Sequence, residues 1–177
     1  YPDPKTAFAH AARMIGEGEC AMVKLEGGGP VIESIRYLVD REVPVCAHLG
    51  LTPQSVLRLG GYKVQGRGDA AAQALRDAAR AAQVAGAEML VLECVPSPLA
   101  AAIQADLAIP VIGIGAGAQC DGQILVCYDV IGISSGRRPR FVKNFLLGRD
   151  SVLDAFKAYV ADARSASFPD AAHEYAD

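Results

Sequence analysis

Short apolar runs begin near residues 22, 44, 89 and 111, so that two steps of 22 residues flank one of about double that length. Each run is closed by glycine or proline, and the stretches between them carry apolar residues at helical spacing. Residues 4–17 place Ala7, Phe8, Ala11, Ala12, Met14 and Ile15 on one side before Gly16 and Gly18 end the helix. Pro30 opens a second helix, at a position that tolerates proline, with Val31, Ile32, Ile35, Leu38 and Val39 on its apolar side. An alanine-rich helix over 69–84, a short one over 99–105 and an amphipathic one over 151–163 complete the series. Strands joined by helical crossovers of this size form a parallel sheet.

Two segments resist this rhythm. Residues 123–128 look strand-like, but about ten residues separate them from the preceding strand, fewer than a helical crossover needs. The spacing therefore predicts a helix over 121–131, with Asp121 as its N-cap. A last strand is expected near 141–145, and the residues after Phe168 are expected to be loosely held.

Repeated βα units build either a doubly wound sheet or a (β/α)₈ barrel. Lys24, Glu26, His48, Glu93 and the run Gly113, Gly115, Gly117 all fall at C-terminal strand ends or just beyond. Polar groups from several strands gathered at that end belong to the barrel. Only four or five strands are visible, against the eight of a barrel of about 250 residues. A single, partial barrel domain over 1–177, with 146–177 as its closing helix and tail, is the expected organisation.

Glu93 ends the apolar run Met89-Leu90-Val91-Leu92, and Pro96 and Pro98 stop the strand after it. A carboxylate so placed is poorly solvated, which raises its pKa and suits a general base, although a strand-end salt bridge would use the same residue. Lys24 and Glu26 are two apart in a strand and so face the same way. There the Glu could ligate a metal through oxygen and the Lys could bind a carboxylate or form a Schiff base; a buried ion pair is the plainer reading. His48 is either a ligand or substrate contact at the rim, or a core histidine. The glycines from Gly113 to Gly117 could cradle an anion or simply allow strand and helix to pack closely. Cys94 is a nucleophile or a buried thiol.

Composition excludes several classes. The net charge is -3, with no basic run to suit nucleic acid. The apolar fraction is 51%, yet no run reaches the roughly 18 residues of a membrane span. No charged start with an apolar core marks a signal peptide. Five cysteines without CxxC spacing suit a reducing cytoplasm.

Several stretches taken together are more specific. They are Met22-Val23-Lys24-Leu25-Glu26-Gly27-Gly28, Pro44-Val45-Cys46-Ala47-His48-Leu49-Gly50-Leu51-Thr52-Pro53-Gln54-Ser55, Gly60-Gly61-Tyr62-Lys63-Val64-Gln65-Gly66-Arg67, Leu90-Val91-Leu92-Glu93-Cys94-Val95-Pro96 and Ile112-Gly113-Ile114-Gly115-Ala116-Gly117 with Asp121-Gly122-Gln123. In this order, over nearly the whole chain, they resemble the ketopantoate hydroxymethyltransferase family. The resemblance implies a (β/α)₈ (TIM) barrel of the phosphoenolpyruvate/pyruvate superfamily. It also implies transfer of the one-carbon unit of 5,10-methylenetetrahydrofolate to 3-methyl-2-oxobutanoate, forming 2-dehydropantoate through an enolate stabilised by Mg²⁺. By position, Glu93 corresponds to the general base, Glu26 to a metal ligand, Lys24 to a substrate contact and His48 to a further one. Residues 51–68 are expected to act as a lid.

The resemblance further implies a homo-oligomer acting on a small keto acid and a folate, with no membrane or nucleic-acid partner. Three strands of the family's barrel, with two metal-binding aspartates and a substrate serine, are expected to precede Tyr1, so the chain alone is expected to be an incomplete enzyme. A carbon–carbon lyase or mutase of the same superfamily and an inert fragment that self-associates through its sheet edges are the alternatives.

Overall fold

A computed structural model describes residues 2–136 and 138–176. In chain order the elements are α1 (Pro4–Gly16), β1 (Val23–Glu26), α2 (Val31–Val39), β2 (Val45–Gly50), α3 (Asp69–Val84), β3 (Met89–Glu93), α4 (Ser97–Asp106), β4 (Val111–Ile114), β5 (Gly122–Gln123), α5 (Cys127–Val130) and α6 (Val152–Arg164). The five strands form one sheet in the order β1-β2-β3-β4-β5, and every neighbouring pair is parallel.

The period of two along each strand sorts the side chains onto two faces. Val23 and Leu25, Val45, Ala47 and Leu49, Leu90 and Leu92, and Val111 share one buried cluster. The same cluster takes Ala7 and Ala11 of α1, Ile35 and Leu38 of α2, Ala79 and Ala82 of α3, and Ala100 and Ile103 of α4. The first four helices therefore cover the same side of the sheet. Alanines at the contact positions of α1 and α3 let those helices lie close to the strands. Successive strands with all crossovers on one side form a singly wound arc, unlike a doubly wound sheet, which has helices on both faces. Lys24, Glu26, Cys46, His48, Val91, Glu93, Ile112 and Ile114 alternate with the clustered residues and so belong to the opposite face.

Helix ends follow local chemistry. Asp3 caps α1 by accepting from the Thr6 N–H at 2.9 Å, with Pro4 in its first turn, and Ser151 caps α6 by accepting from the Asp154 N–H at 3.1 Å. Helices α3 and α4 are clamped by Arg76 and Arg80, both paired to Asp106 at 2.7 and 3.0 Å. The two guanidiniums hold the Asp106 carboxyl below its ordinary value of 3.8. The pair thus stabilises the fold above that pH and is lost as pH falls through the lowered folded value. Asp106→Asn should melt below the wild type at neutral pH, by a small margin because the pairs are solvent-accessible. The margin should close on acidification in melts followed by circular dichroism. A margin independent of pH would remove these ion pairs from the account.

Three expectations need correction. The helix expected over 121–131 is instead the edge strand β5 followed by the four residues of α5. Asp121 does not cap a helix; its carboxylate accepts from the Val111 N–H at 2.8 Å and from Gln104 Nε2 at 3.0 Å. Gly115 (φ +65°) and Gly117 (φ +82°) turn the chain tightly enough for Gly122 and Gln123 to pair with Ile112 and Gly113 without a helical crossover.

Residues 141–145 are not a strand. Phe141 is buried among Cys94, Leu51 and Ile114, whereas Phe145 is buried among Val130, Ala155 and Phe168. The apolar pattern reflects anchorage in two separate clusters. The Phe145 N–H donates to the Val130 carbonyl, outside any ladder. The tail after Phe168 is not loose either. Arg140 donates to the carbonyls of Ala171 and Ala172 at 3.1 and 3.2 Å, and the Ser97 N–H donates to the Tyr175 carbonyl at 2.7 Å.

A candidate active site at the C-terminal strand ends

Glu26 is the last residue of β1, Glu93 the last of β3, and β2 lies between them. The register sets Glu26 against His48 and Gly50 against Glu93. Residues 67 positions apart in sequence are thereby carried to the two sides of one imidazole. His48 Nε2 lies 3.1 Å from Glu93 Oε2, and His48 Nδ1 lies 3.5 Å from Glu26 Oε1. The histidine side chain is only 2% exposed, Glu26 12% and Glu93 14%. Distance brings these groups together but angle does not, because neither ring nitrogen makes an aligned hydrogen bond. Catalytic hydrogen bonds are often loose until substrate closes a site.

Lys24 is exposed on the same strand and on the same side as Glu26. Its positive charge acts on the Cys46 thiol, which burial nevertheless raises above its ordinary value. A cation, two largely buried carboxylates and an imidazole therefore share the sheet face that α1 to α4 leave uncovered. The arrangement suits proton abstraction beside a bound anion: one carboxylate as base, the lysine as charge partner, and an oxygen donor for a hard cation.

The segment over 51–68 is fastened to this site. The Leu51 N–H donates to the Glu93 carbonyl at 2.8 Å, the Gln65 N–H to the Cys94 carbonyl at 2.8 Å, and the Gln54 N–H to Glu26 Oε2 at 3.3 Å. Pro53–Ser55 forms a single 3₁₀ turn at its start, and Leu57 and Tyr62 are exposed along it.

Packing bears on two open questions. Gly113, Gly115 and Gly117 serve close approach: an added Cβ would meet Cys120 Sγ at 2.9 Å, the Phe141 ring at 2.6 Å and Ser97 Oγ at 2.4 Å respectively. Cys94 is a buried thiol pushed up to about 12, first by burial and then by the adjacent Glu93 charge, so little thiolate forms near neutral pH. All five cysteines are unpaired.

Gln54 and Tyr175 also reach this region, although neither is among the candidate site residues of the sequence. Gln54 acts through its backbone, which no side-chain pattern reports. Tyr175 sits at the far end of the chain, with no local signal linking it to Cys94. Among the described residues no three His, Cys, Asp or Glu side chains are so arranged that they could together hold a metal ion, and no helix is long and apolar enough to cross a membrane.

Comparison with known proteins adds two findings. Residues 1–171 match the family model described as ketopantoate hydroxymethyltransferase. The chain is also 59% identical over 174 residues to the 3-methyl-2-oxobutanoate hydroxymethyltransferase of Xanthomonas euvesicatoria pv. vesicatoria (strain 85-10), covering 98% of this chain and 64% of that protein. The proteins of the same name from Xanthomonas campestris pv. campestris (strain 8004) and Xanthomonas oryzae pv. oryzae (strain PXO99A) are each 58% identical with the same coverage. The chain thus spans 64% of the length of the curated relatives it matches.

Proposed function

Because the chain belongs to the ketopantoate hydroxymethyltransferase family, we propose that it carries the base-bearing part of an enzyme that transfers the one-carbon unit of 5,10-methylenetetrahydrofolate to 3-methyl-2-oxobutanoate, forming 2-dehydropantoate. The observation that supports this most is the convergence of Glu26 and Glu93 on His48 at the C-terminal ends of neighbouring strands. In this reading Glu93 removes the C3 proton of the keto acid. Lys24, exposed on the same face, meets the substrate carboxylate and offsets the charge that the proton leaves behind. His48, expected as a substrate contact, stands between the carboxylates with Nε2 3.1 Å from Glu93 Oε2; it reaches substrate only where one carboxylate yields. Residues 51–68, tied to both carboxylate-bearing strands, cover the site and exclude water during carbon–carbon bond formation.

Glu26 offers a hard oxygen that fits Mg²⁺, but it is one carboxylate, and Mg²⁺ sites commonly combine one or two carboxylates with substrate oxygens and water. We propose Glu26 as one ligand, with further oxygens from the keto acid and from the portion of the relatives that this chain does not span. Bound Mg²⁺ would supply Lewis-acid polarisation of the substrate carbonyl, acidifying C3. A singly wound parallel arc with its polar groups at one end supports the (β/α)₈ barrel, and the biosynthetic role supports a cytoplasmic homo-oligomer.

The test is exchange of the C3 proton of 3-methyl-2-oxobutanoate with deuterated water, followed by proton NMR with and without Mg²⁺ and with no folate present. Mg²⁺-dependent exchange is expected from protein of the relatives' full length carrying this sequence. Absence of exchange there would overturn the reading. Exchange by the full-length protein together with none from the 177-residue chain would assign the missing ligands to the additional part.

A further inference from the structure

The backbone corner that follows Glu93 is held from three sides. Cys94 adopts φ +49°, a left-handed conformation that costs a residue with a Cβ about 1–2 kcal/mol and persists only where surrounding contacts enforce it. Its N–H donates to the Ile114 carbonyl at 2.9 Å, and its carbonyl accepts from the Gln65 N–H at 2.8 Å. The third hold comes from the C-terminus. Tyr175 packs against the cluster of Cys94 and Phe141, and its hydroxyl and the Cys94 thiol are close enough to interact electrostatically.

The strap is itself anchored. The Ser97 N–H donates to the Tyr175 carbonyl at 2.7 Å, and the Ser97 hydroxyl donates to Glu174 Oε2 at 2.9 Å. Upstream, Arg140 holds the carbonyls of Ala171 and Ala172, and His173 pairs with Asp170 at 2.8 Å. No side chain caps the start of α4, and the Tyr175 carbonyl supplies an acceptor for one N–H of this first turn.

We propose that Glu174 and Tyr175 are positioning residues: the C-terminal strap clamps the corner at Cys94 and thereby keeps the Glu93 carboxylate aimed at His48. This rests on the reading of Glu93 as the base. Cys94 is the residue after Glu93, so relaxing its left-handed backbone would turn the peptide that ends β3 and swing the Glu93 side chain. Tyr175 restrains Cys94 through a contact that neither β4 nor the 51–68 segment provides.

The thiols provide the test. The 177-residue protein and its Tyr175→Phe and Tyr175→Ala variants are pulse-labelled with iodoacetamide, and each cysteine is quantified by mass spectrometry. Exposed Cys20 and Cys127 should label alike in all three, and buried Cys46 on β2 should stay protected throughout. Labelling of Cys94 should rise about tenfold in Tyr175→Ala, equivalent to about 1.4 kcal/mol of easier local opening. Unchanged protection of Cys94 would overturn the proposal. Cys46 opening in step with Cys94 would overturn it as well, because the tail would then be a prop for the whole sheet.

Aim is read in full-length protein that exchanges the keto-acid proton. There Tyr175→Phe should lower kcat for exchange with KM unchanged and shift the acid limb of the pH profile. An unchanged kcat and profile would overturn the positioning role. If the wild type shows no exchange, the assignment of Glu93 fails independently, and the labelling result still decides whether the strap holds the corner.

Discussion

Glu93→Gln should slow deuterium exchange at C3 of the keto acid by about 10²- to 10⁴-fold, the range that a positioned general base contributes. Affinity for the keto acid, measured by calorimetry, should be nearly unchanged. Gln keeps the volume and one carbonyl oxygen of Glu, so the packing beside His48 Nε2 at 3.1 Å survives while proton-accepting ability is lost. A side chain only 14% exposed is shielded from bulk water, which leaves no ready solvent base to take its place. An unchanged melting temperature would show that the loss belongs to chemistry. Exchange at the wild-type rate in the variant would remove Glu93 as the base and return it to a strand-end partner of His48.

The second large effect is expected at a residue with no side chain. Gly50 pairs with Glu93 at the end of β2 and has φ +90°. A Cβ there would lie 2.2 Å from the Glu93 carbonyl oxygen and 2.8 Å from Val95 Cγ2, closer than real contacts allow. That carbonyl is also the acceptor for the Leu51 N–H. Gly50→Ala must therefore push β3 away just where it carries the carboxylate, or break the start of the 51–68 segment.

Conformational strain of about 1–2 kcal/mol and overpacking of about 1–3 kcal/mol add to roughly 2–5 kcal/mol. For a chain of this size that lowers Tm by about 4–20 °C. Gly29→Ala is the control: it has φ +53° and no atom within 4 Å of the added Cβ, so it isolates the backbone part. If Gly50→Ala cost no more than Gly29→Ala, the close approach of β2 to β3 would be refuted.

Much of this architecture is written in short-range pattern. The repeats starting near 22, 44, 89 and 111 place β1 to β4 to within about two residues, because a buried parallel strand needs a continuous apolar run and turn residues must close it. Spacing of two along β1 is sufficient to put Lys24 and Glu26 on one side. A glutamate at the end of an apolar run is enough to single out Glu93. The same local logic fails at β5 and at residues 141–145. At β5, two positive-φ glycines replace a crossover helix, and at 141–145 two aromatics alternate between clusters instead of along a ladder.

The sequence by itself thus determined the βα order, the one-sided polar residues and the candidate base, all consequences of periodicity within a few neighbouring residues. Only the tertiary structure decided that His48 stands between Glu26 and Glu93, and that Tyr175 closes on the corner at Cys94. Those contacts depend on strand register and on chain segments tens of residues apart. Their free energy comes from burying groups together, which no local pattern encodes.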